Sequence, residues 1–268
     1  MASVSILGCG WLGFPLAEKL VNEGYKVKGS STTSSKIKDL QKARIEAYQI
    51  ELPKSKIDSN FFASDFLIVN IPPQTSKKGV DHHRESLEAI VNQIPQKQKI
   101  IYVSSTSVYP KVDHSIDEDH DLDLQSDRSK ALIQAEELLI EHFRERLTII
   151  RFGGLLGYDR IPGKYFSNKK LEQHQQKVNY IHQDDAIGLI LAVLSTNKWG
   201  YVINGVAPKH PTKKEVFNQN SKDFNFPPPV FGNEQQVLTN RIIKSIKIEH
   251  ILDYSFIYPD PLHFFYTN

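Results

Sequence analysis

Along the first third of the chain, short β-type apolar runs alternate with helical recurrences. Val4-Ser5-Ile6-Leu7 leads into glycines, and from Trp11 to Glu23 the apolar positions Leu12, Leu16, Leu20 and Val21 fall on one helical face. Gly24 marks the stop of that helix. Tyr25 to Gly29 reads as a second strand, followed by a Ser/Thr-rich turn and a helix across Lys36 to Ala47. Further strands are expected at Tyr48 to Leu52, Phe66 to Ile71 and Lys99 to Ser104, with a helix over Arg84 to Ile94. A long helix over Arg128 to Arg146, a strand over Leu147 to Phe152 and a helix over Asp185 to Ser195 continue the alternation. Strands alternating with helices predict an α/β fold with a parallel, doubly wound sheet.

The regions 153–177 and 207–268 are richer in Pro, Asn, Lys and aromatics, including Pro227-Pro228-Pro229. They are read as a small substrate-facing lobe interleaved with a core formed by 1–152 and continued by about 178–206. A chain of 268 residues is long enough for this arrangement. Lys+Arg of 33 against Asp+Glu of 31 leaves a formal charge of +2, which argues against a nucleic-acid binder. No apolar run approaches the roughly 18 residues of a membrane helix. One cysteine, Cys9, excludes an intramolecular disulfide, and the N-terminal residues show no signal-peptide pattern, so the expectation is a cytoplasmic protein, monomeric or homodimeric, acting on a small molecule.

Gly8-Cys9-Gly10-Trp11-Leu12-Gly13 has the G-x-G-x-x-G spacing and sits between a strand and an amphipathic helix inside a βαβ unit. In such a loop the first glycine permits the turn, the second lets backbone amides approach a pyrophosphate, and the third lets helix pack on strand. The helix N-terminus adds the positive end of its dipole. This is the fingerprint of a Rossmann domain for NAD or NADP. About 20 residues on, where Asp or Glu would hold a ribose 2′-hydroxyl, the chain has Gly29-Ser30-Ser31-Thr32-Thr33. With no carboxylate to repel it, a 2′-phosphate can be held by Ser30, Ser31, Thr32 and Thr33 with charge from Lys36, which favours NADP over NAD. The same hydroxyls also suit capping of the helix near Lys36.

These residues resemble the atypical and extended short-chain dehydrogenase/reductases, and within them the YeeZ-like NAD(P)-dependent epimerase group. The resemblance runs through Val69-Asn70-Ile71-Pro72-Pro73, Tyr102-Val103-Ser104-Ser105-Thr106-Ser107-Val108-Tyr109, Asp117-Glu118, Arg151-Phe152-Gly153-Gly154, Asn179-Tyr180-Ile181-His182-Gln183-Asp184-Asp185 and Val202-Ile203-Asn204. It implies that Ile71, Pro72, Pro73 and Ser104 join the cofactor site. By the same resemblance Ser105, assisted by Thr106, polarises the reacting oxygen, and Glu118, Arg128, Phe152 and Gly153 border the substrate.

In this superfamily proton transfer uses Tyr-x-x-x-Lys, the lysine lowering the phenol's pKa. If Lys130 is that lysine, the tyrosine position holds Ser126, a far weaker acid. Alternatively Arg128 and Glu136 match the Arg and Glu of the YeeZ-like pattern, and Lys130 is a helix-surface residue. Either Tyr109, Tyr158 or His182 donates the proton, or water relays it, or the protein binds the nucleotide without turnover. Two functions therefore stand: an NAD(P)-dependent epimerase, dehydratase or oxidoreductase, and a catalytically silent redox-sensing protein. His82-His83 with Asp81 lacks a closing ligand set, so no metal is expected. Lys213-Lys214 and Lys169-Lys170 read as solvated faces, or as holders of an anionic substrate if they face the crevice.

Overall fold

The computed structural model describes residues 1–54, 56–232 and 240–267. In chain order the regular elements begin with β1 (Ser3–Leu7), α1 (Gly13–Asn22), β2 (Lys26–Ser31), α2 (Ser34–Lys42), β3 (Glu46–Gln49) and β4 (Phe66–Val69). They continue with α3 (Thr75–Lys78), α4 (His82–Val91), β5 (Lys99–Ser105), β6 (Ser115–Ile116), α5 (Asp127–Phe143), β7 (Leu147–Phe152) and β8 (Gly154–Leu156). The remainder are β9 (Lys170–Leu171), β10 (Tyr180–His182), α6 (Gln183–Thr196), β11 (Val202–Gly205), α7 (Lys213–Asp223), β12 (Val230–Phe231) and β13 (Ile242–Ile243).

Seven strands form one parallel sheet in the order β11-β7-β5-β4-β1-β2-β3. The order reverses at β1, whose neighbours are β4 and β2, so the chain crosses from one half of the sheet to the other there. In open α/β sheets such a switch point is where ligands bind, outside the carboxyl ends of the strands. Because β1 and β4 are covered on both faces, they read as nearly continuous apolar runs: Val4, Ile6, Leu7, Leu67, Ile68 and Val69 are buried.

The chain divides into two compact units, Met1–Val108 with Leu122–Arg151 and Asn197–Val202, and Tyr109–Asp121 with Phe152–Thr196 and Ile203–Asn268. The first holds β1 to β5, α1 to α5 and most of β7, around a core that includes Leu7, Phe61, Leu67, Leu87, Tyr102 and Leu139. The second holds α6, α7 and three two-stranded ribbons of short strands, β10 with β8, β12 with β9 and β13 with β6. Its apolar packing groups Leu156, Ile161, Ala207, Phe264 and Tyr266.

Two expected helices stop earlier than their patterns suggest. The helix drawn to Ala47 ends at Lys42, because Arg44 adopts a left-handed φ of 61° and the Ile45 N–H returns to the Leu40 carbonyl; β3 then starts at Glu46 rather than Tyr48. Arg144, with φ of 45°, likewise ends α5 at Phe143, leaving a 3-10 turn over Arg144–Arg146. Neither stop carries the glycine that usually signals one. Gly24 does: its φ is 88°, and its N–H closes on the Val21 carbonyl.

Candidate functional site

The glycine loop between β1 and α1 divides its labour by position. Gly8 has φ of 106°, and a Cβ there would lie 2.5 Å from the Asn70 carbonyl oxygen. A Cβ on Gly13 would lie 2.3 Å from the Gly8 carbonyl oxygen, so helix and loop touch only because both residues are glycine. Asn70 completes the clamp, its Nδ2 donating to the Gly8 carbonyl at 2.9 Å. At Gly10 a Cβ would meet nothing within 4 Å. The middle glycine therefore borders open space, as an approaching diphosphate requires. Leu12, at the α1 cap position, brings no side-chain cap, and the first turn carries no acidic residue to repel an anion. These residues fit the diphosphate of a dinucleotide. Trp11 is half-buried, Leu12 buried, Ile71 half-buried, Pro72 exposed and Pro73 buried.

At the end of β2 the hydroxyls have distinct duties. The buried Ser30 Oγ accepts the Gly8 N–H at 3.0 Å, and the Ser31 Oγ accepts the Thr33 N–H at 3.2 Å. Thr33 occupies the N-cap of α2 without a side-chain cap bond, and the first turn contains no acidic residue. Thr32, Thr33 and Lys36 are exposed. Ser30 is thus spent on the loop, whereas Ser31, Thr32, Thr33 and Lys36 surround an uncapped helix start.

Where β5 ends, Ser104 and Ser105 face different surroundings. Ser104 is buried and donates to Glu136 Oε1 at 2.5 Å; Arg151 Nη2 donates to Glu136 Oε2 at 2.6 Å, and both charged partners are buried. Ser105 is half-buried, its Oγ accepting the Ser107 N–H at 3.2 Å. Thr106 is buried in the 3-10 turn Thr106–Val108. Arg128, exposed on the first turn of α5, donates from Nε to Ser107 Oγ at 3.3 Å. Ser126 caps α5: its Oγ accepts the Ser129 N–H at 3.1 Å while Ser129 Oγ accepts the Ser126 N–H at 3.3 Å. The position that would carry the phenol thus serves a capping box, and Lys130 stands half-buried one turn on.

Beneath this end of the sheet, His83 Nε2 and the Tyr102 hydroxyl lie 2.7 Å apart, both buried. Burial, with neighbouring His82 and Arg128, pushes the His83 imidazole down to about 4, and burial pushes the Tyr102 phenol well above its usual range. His82 is half-buried and does not share that bond.

The second unit holds the other candidate proton donors, each already engaged. The Tyr109 hydroxyl donates to Asn204 Oδ1 at 2.8 Å, and the Asn204 N–H donates to Glu118 Oε1 at 3.1 Å. Burial raises the Glu118 carboxyl above its ordinary value. His182 is wholly buried; its Nε2 donates to the Phe265 carbonyl at 2.9 Å and its Nδ1 accepts the Asp184 N–H at 3.2 Å, with the Tyr258 ring 4.0 Å away centroid to centroid. Both imidazole nitrogens therefore brace the chain. Tyr158 donates to Asp184 Oδ1 at 2.9 Å, and burial followed by that carboxylate pushes its phenol up to about 12. Phe152 is 1% exposed, so its ring packs in the core; a Cβ on Gly153 would lie 2.4 Å from the Asn179 carbonyl oxygen. Lys213 Nζ is bonded to Gln176 Oε1 at 2.5 Å, and Lys170 pairs with Glu172 at 2.6 Å.

Sequence reasoning assigns no role to Asn70, Ser107 or Arg151, although all three lie inside the motifs of the resemblance, because their bonds depend on which strand ends meet; Glu136, matched to the family pattern, is the carboxylate that Ser104 and Arg151 share. Among the described residues, no group of three or more His, Cys, Asp or Glu side chains is placed to hold a metal, and no helix is long and apolar enough to cross a membrane.

Residues 3–121 match the family described as the NAD binding domain of 6-phosphogluconate dehydrogenase. The protein YeeZ of Escherichia coli (strain K12) is 30% identical over 272 residues, covering 98% of this chain and 98% of that protein. Among solved structures, the UDP-Glc/GlcNAc 4-epimerase of Campylobacter jejuni superposes with a TM-score of 0.82 at 15% identity, over 98% of this chain and 96% of that one. MoeE5 in complex with UDP-glucose and NAD gives 0.77 at 15% identity, with the same coverage of 98% and 96%. A functionally unknown conserved protein from Silicibacter pomeroyi gives 0.78 at 18% identity, again over 98% and 96%.

Proposed function

The chain belongs to the YeeZ family of the short-chain dehydrogenase/reductase superfamily, and from that premise we propose that it is an NAD(P)-dependent epimerase, dehydratase or oxidoreductase acting on a small carbonyl- or hydroxyl-bearing, or sugar-nucleotide-like, substrate. The observation that carries this reading is the glycine loop: Gly8 and Gly13 are locked by close backbone contacts while Gly10 borders open space beside an uncapped helix start. The relatives of like fold include proteins described with NAD and a UDP-sugar, which supports the same direction.

Gly8, Gly10, Trp11, Leu12 and Gly13 would hold the diphosphate. Ser31, Thr32, Thr33 and Lys36, with no carboxylate in the first turn of α2, favour NADP over NAD. Bound there, the nicotinamide supplies hydride chemistry. Ser105 donates its hydroxyl hydrogen to the substrate oxygen, which stabilises negative charge developing on it. Lys130 adds a nearby cation, and with Ser126 committed to the helix cap the proton passes through water. We place the protein in the cytoplasm, as a monomer or homodimer, with a small molecule rather than nucleic acid or membrane as its partner.

One observation favours the second reading, a nucleotide-binding sensor without turnover: Tyr109, Tyr158 and His182 are all bonded within the protein. Calorimetric titration with NAD, NADH, NADP and NADPH tests the premise common to both, and binding of none of them overturns it. Turnover of NADPH with sugar nucleotides or small carbonyls, lost in Ser105→Ala, separates enzyme from sensor.

A further inference from the structure

Arg128 is joined to the Ser105 hydroxyl through Ser107. Its Nε is tethered to Ser107 Oγ at 3.3 Å, and the Ser107 N–H is in turn bonded to Ser105 Oγ at 3.2 Å, so the guanidinium and the Ser105 hydroxyl hang from one residue. Using Nε for the tether leaves the two terminal amino groups side by side as a planar fork. Among the described residues no Asp or Glu pairs with Arg128. Glu136, the buried carboxylate of this region, is taken by Arg151 and Ser104. His83 beneath it is held neutral at neutral pH, with burial the first cause and Arg128 among the others. The remaining charged side chains of this turn are Asp127, which neighbours Arg128 in sequence, and Lys130.

We propose that the substrate received beside Ser105 carries a carboxylate, and that the Arg128 fork holds it while Ser105 addresses the neighbouring carbonyl or hydroxyl oxygen. This rests on the enzyme reading given above. A guanidinium cannot serve as the missing proton donor, because it stays charged at any physiological pH. It is instead the side chain whose geometry matches a planar carboxylate through two parallel hydrogen bonds. A single fork balances the one negative charge of a carboxylate; a phosphate dianion calls for a second cation, for which Lys130 is the other positive side chain of this turn, so phosphate forms its own arm of the test. The tether to Ser107 fixes the fork before the ligand arrives, which reduces the ordering cost of binding.

The test is saturation-transfer NMR on the full chain, with and without NADP, using pyruvate, malonate, 2-oxoglutarate and glucuronate, each against its neutral methyl ester, and inorganic phosphate as a separate arm. At least one acid should bind and its ester should not. Arg128→Gln should weaken that acid about tenfold or more, Arg128→Lys should recover only part of the loss, and Ser107→Ala should weaken it less than Arg128→Gln. Nucleotide affinity, measured by calorimetry on the same variants, should stay unchanged. The proposal is overturned if no acid binds, if Arg128→Gln binds acids as the wild type does, or if phosphate alone responds to Arg128. Loss of nucleotide binding in the wild type would instead count against the cofactor site, since the NADP-free arm still reads the acid.

Discussion

Ser30 and Gly8 fasten the end of β2 to the glycine loop: the Ser30 Oγ accepts the Gly8 N–H at 3.0 Å, and the Ser30 carbonyl accepts the Cys9 N–H at 2.8 Å. A hydroxyl that a sequence reader would offer to a 2′-phosphate is therefore part of the loop's own scaffold.

Ser30→Ala should remove one buried hydrogen bond and lower stability by about 1 kcal/mol. The loop would lose its side brace, so NAD and NADP should weaken together. Urea unfolding and calorimetry check both halves; selective loss of NADP would return Ser30 to the phosphate site.

Lys36→Glu should act on the nucleotides unequally. Placing a carboxylate in the first turn of an uncapped, acid-free helix start should weaken NADP by about tenfold and leave NAD nearly unchanged. Equal affinities for NADP in the variant and wild type would remove the 2′-phosphate from this end of β2.

Gly10→Ala and Gly13→Ala should part company. The Gly10 methyl enters open space, so the variant should fold normally yet lose nucleotide affinity, because the methyl stands where the diphosphate must come close. The Gly13 methyl would sit 2.3 Å from the Gly8 carbonyl oxygen, so that variant should also lose thermal stability. Melting curves with and without NADPH distinguish the two outcomes.

Glu136→Leu leaves the Arg151 guanidinium buried without its carboxylate and frees the Ser104 hydroxyl. Stranding a buried charge costs about 3–5 kcal/mol, far more than the roughly 1 kcal/mol expected for Ser104→Ala. Chemical denaturation of the two variants checks the ordering.

His83 should make the protein acid-sensitive in a defined window. The imidazole titrates at about 4 when folded, against 6.5 when free, because burial opposes its charge. Below about 6.5 the unfolded chain takes up a proton that the folded chain refuses, so this stability contribution is complete above 6.5 and is lost as pH falls to about 4. Its full size is about 3 kcal/mol. Glu118, whose pKa is raised by burial, works in the opposite sense. The paired replacement His83→Phe with Tyr102→Phe removes both polar partners together, and its unfolding midpoint should fall less than that of the wild type between pH 7 and pH 4.5.

Local pattern was enough to place the scaffold. The alternation of Val4 to Leu7, Leu12 to Val21 and the later runs encodes strand and helix periods directly, and the spacing of Gly8, Gly10 and Gly13 encodes a turn that only glycine can make. Helix ends at Arg44 and Arg144 escaped that reading because a non-glycine residue adopts the left-handed conformation, which tertiary packing imposes and composition does not announce. The site shows the same limit. Which hydroxyl is free, which caps a helix and which charge is already paired depend on segments distant in the chain: Ser30 on Gly8, Ser104 on Glu136, Arg128 on Ser107, Tyr109 on Asn204. A residue's type fixes the bonds it can make, but only the folded chain decides which partner arrives within hydrogen-bonding distance of it.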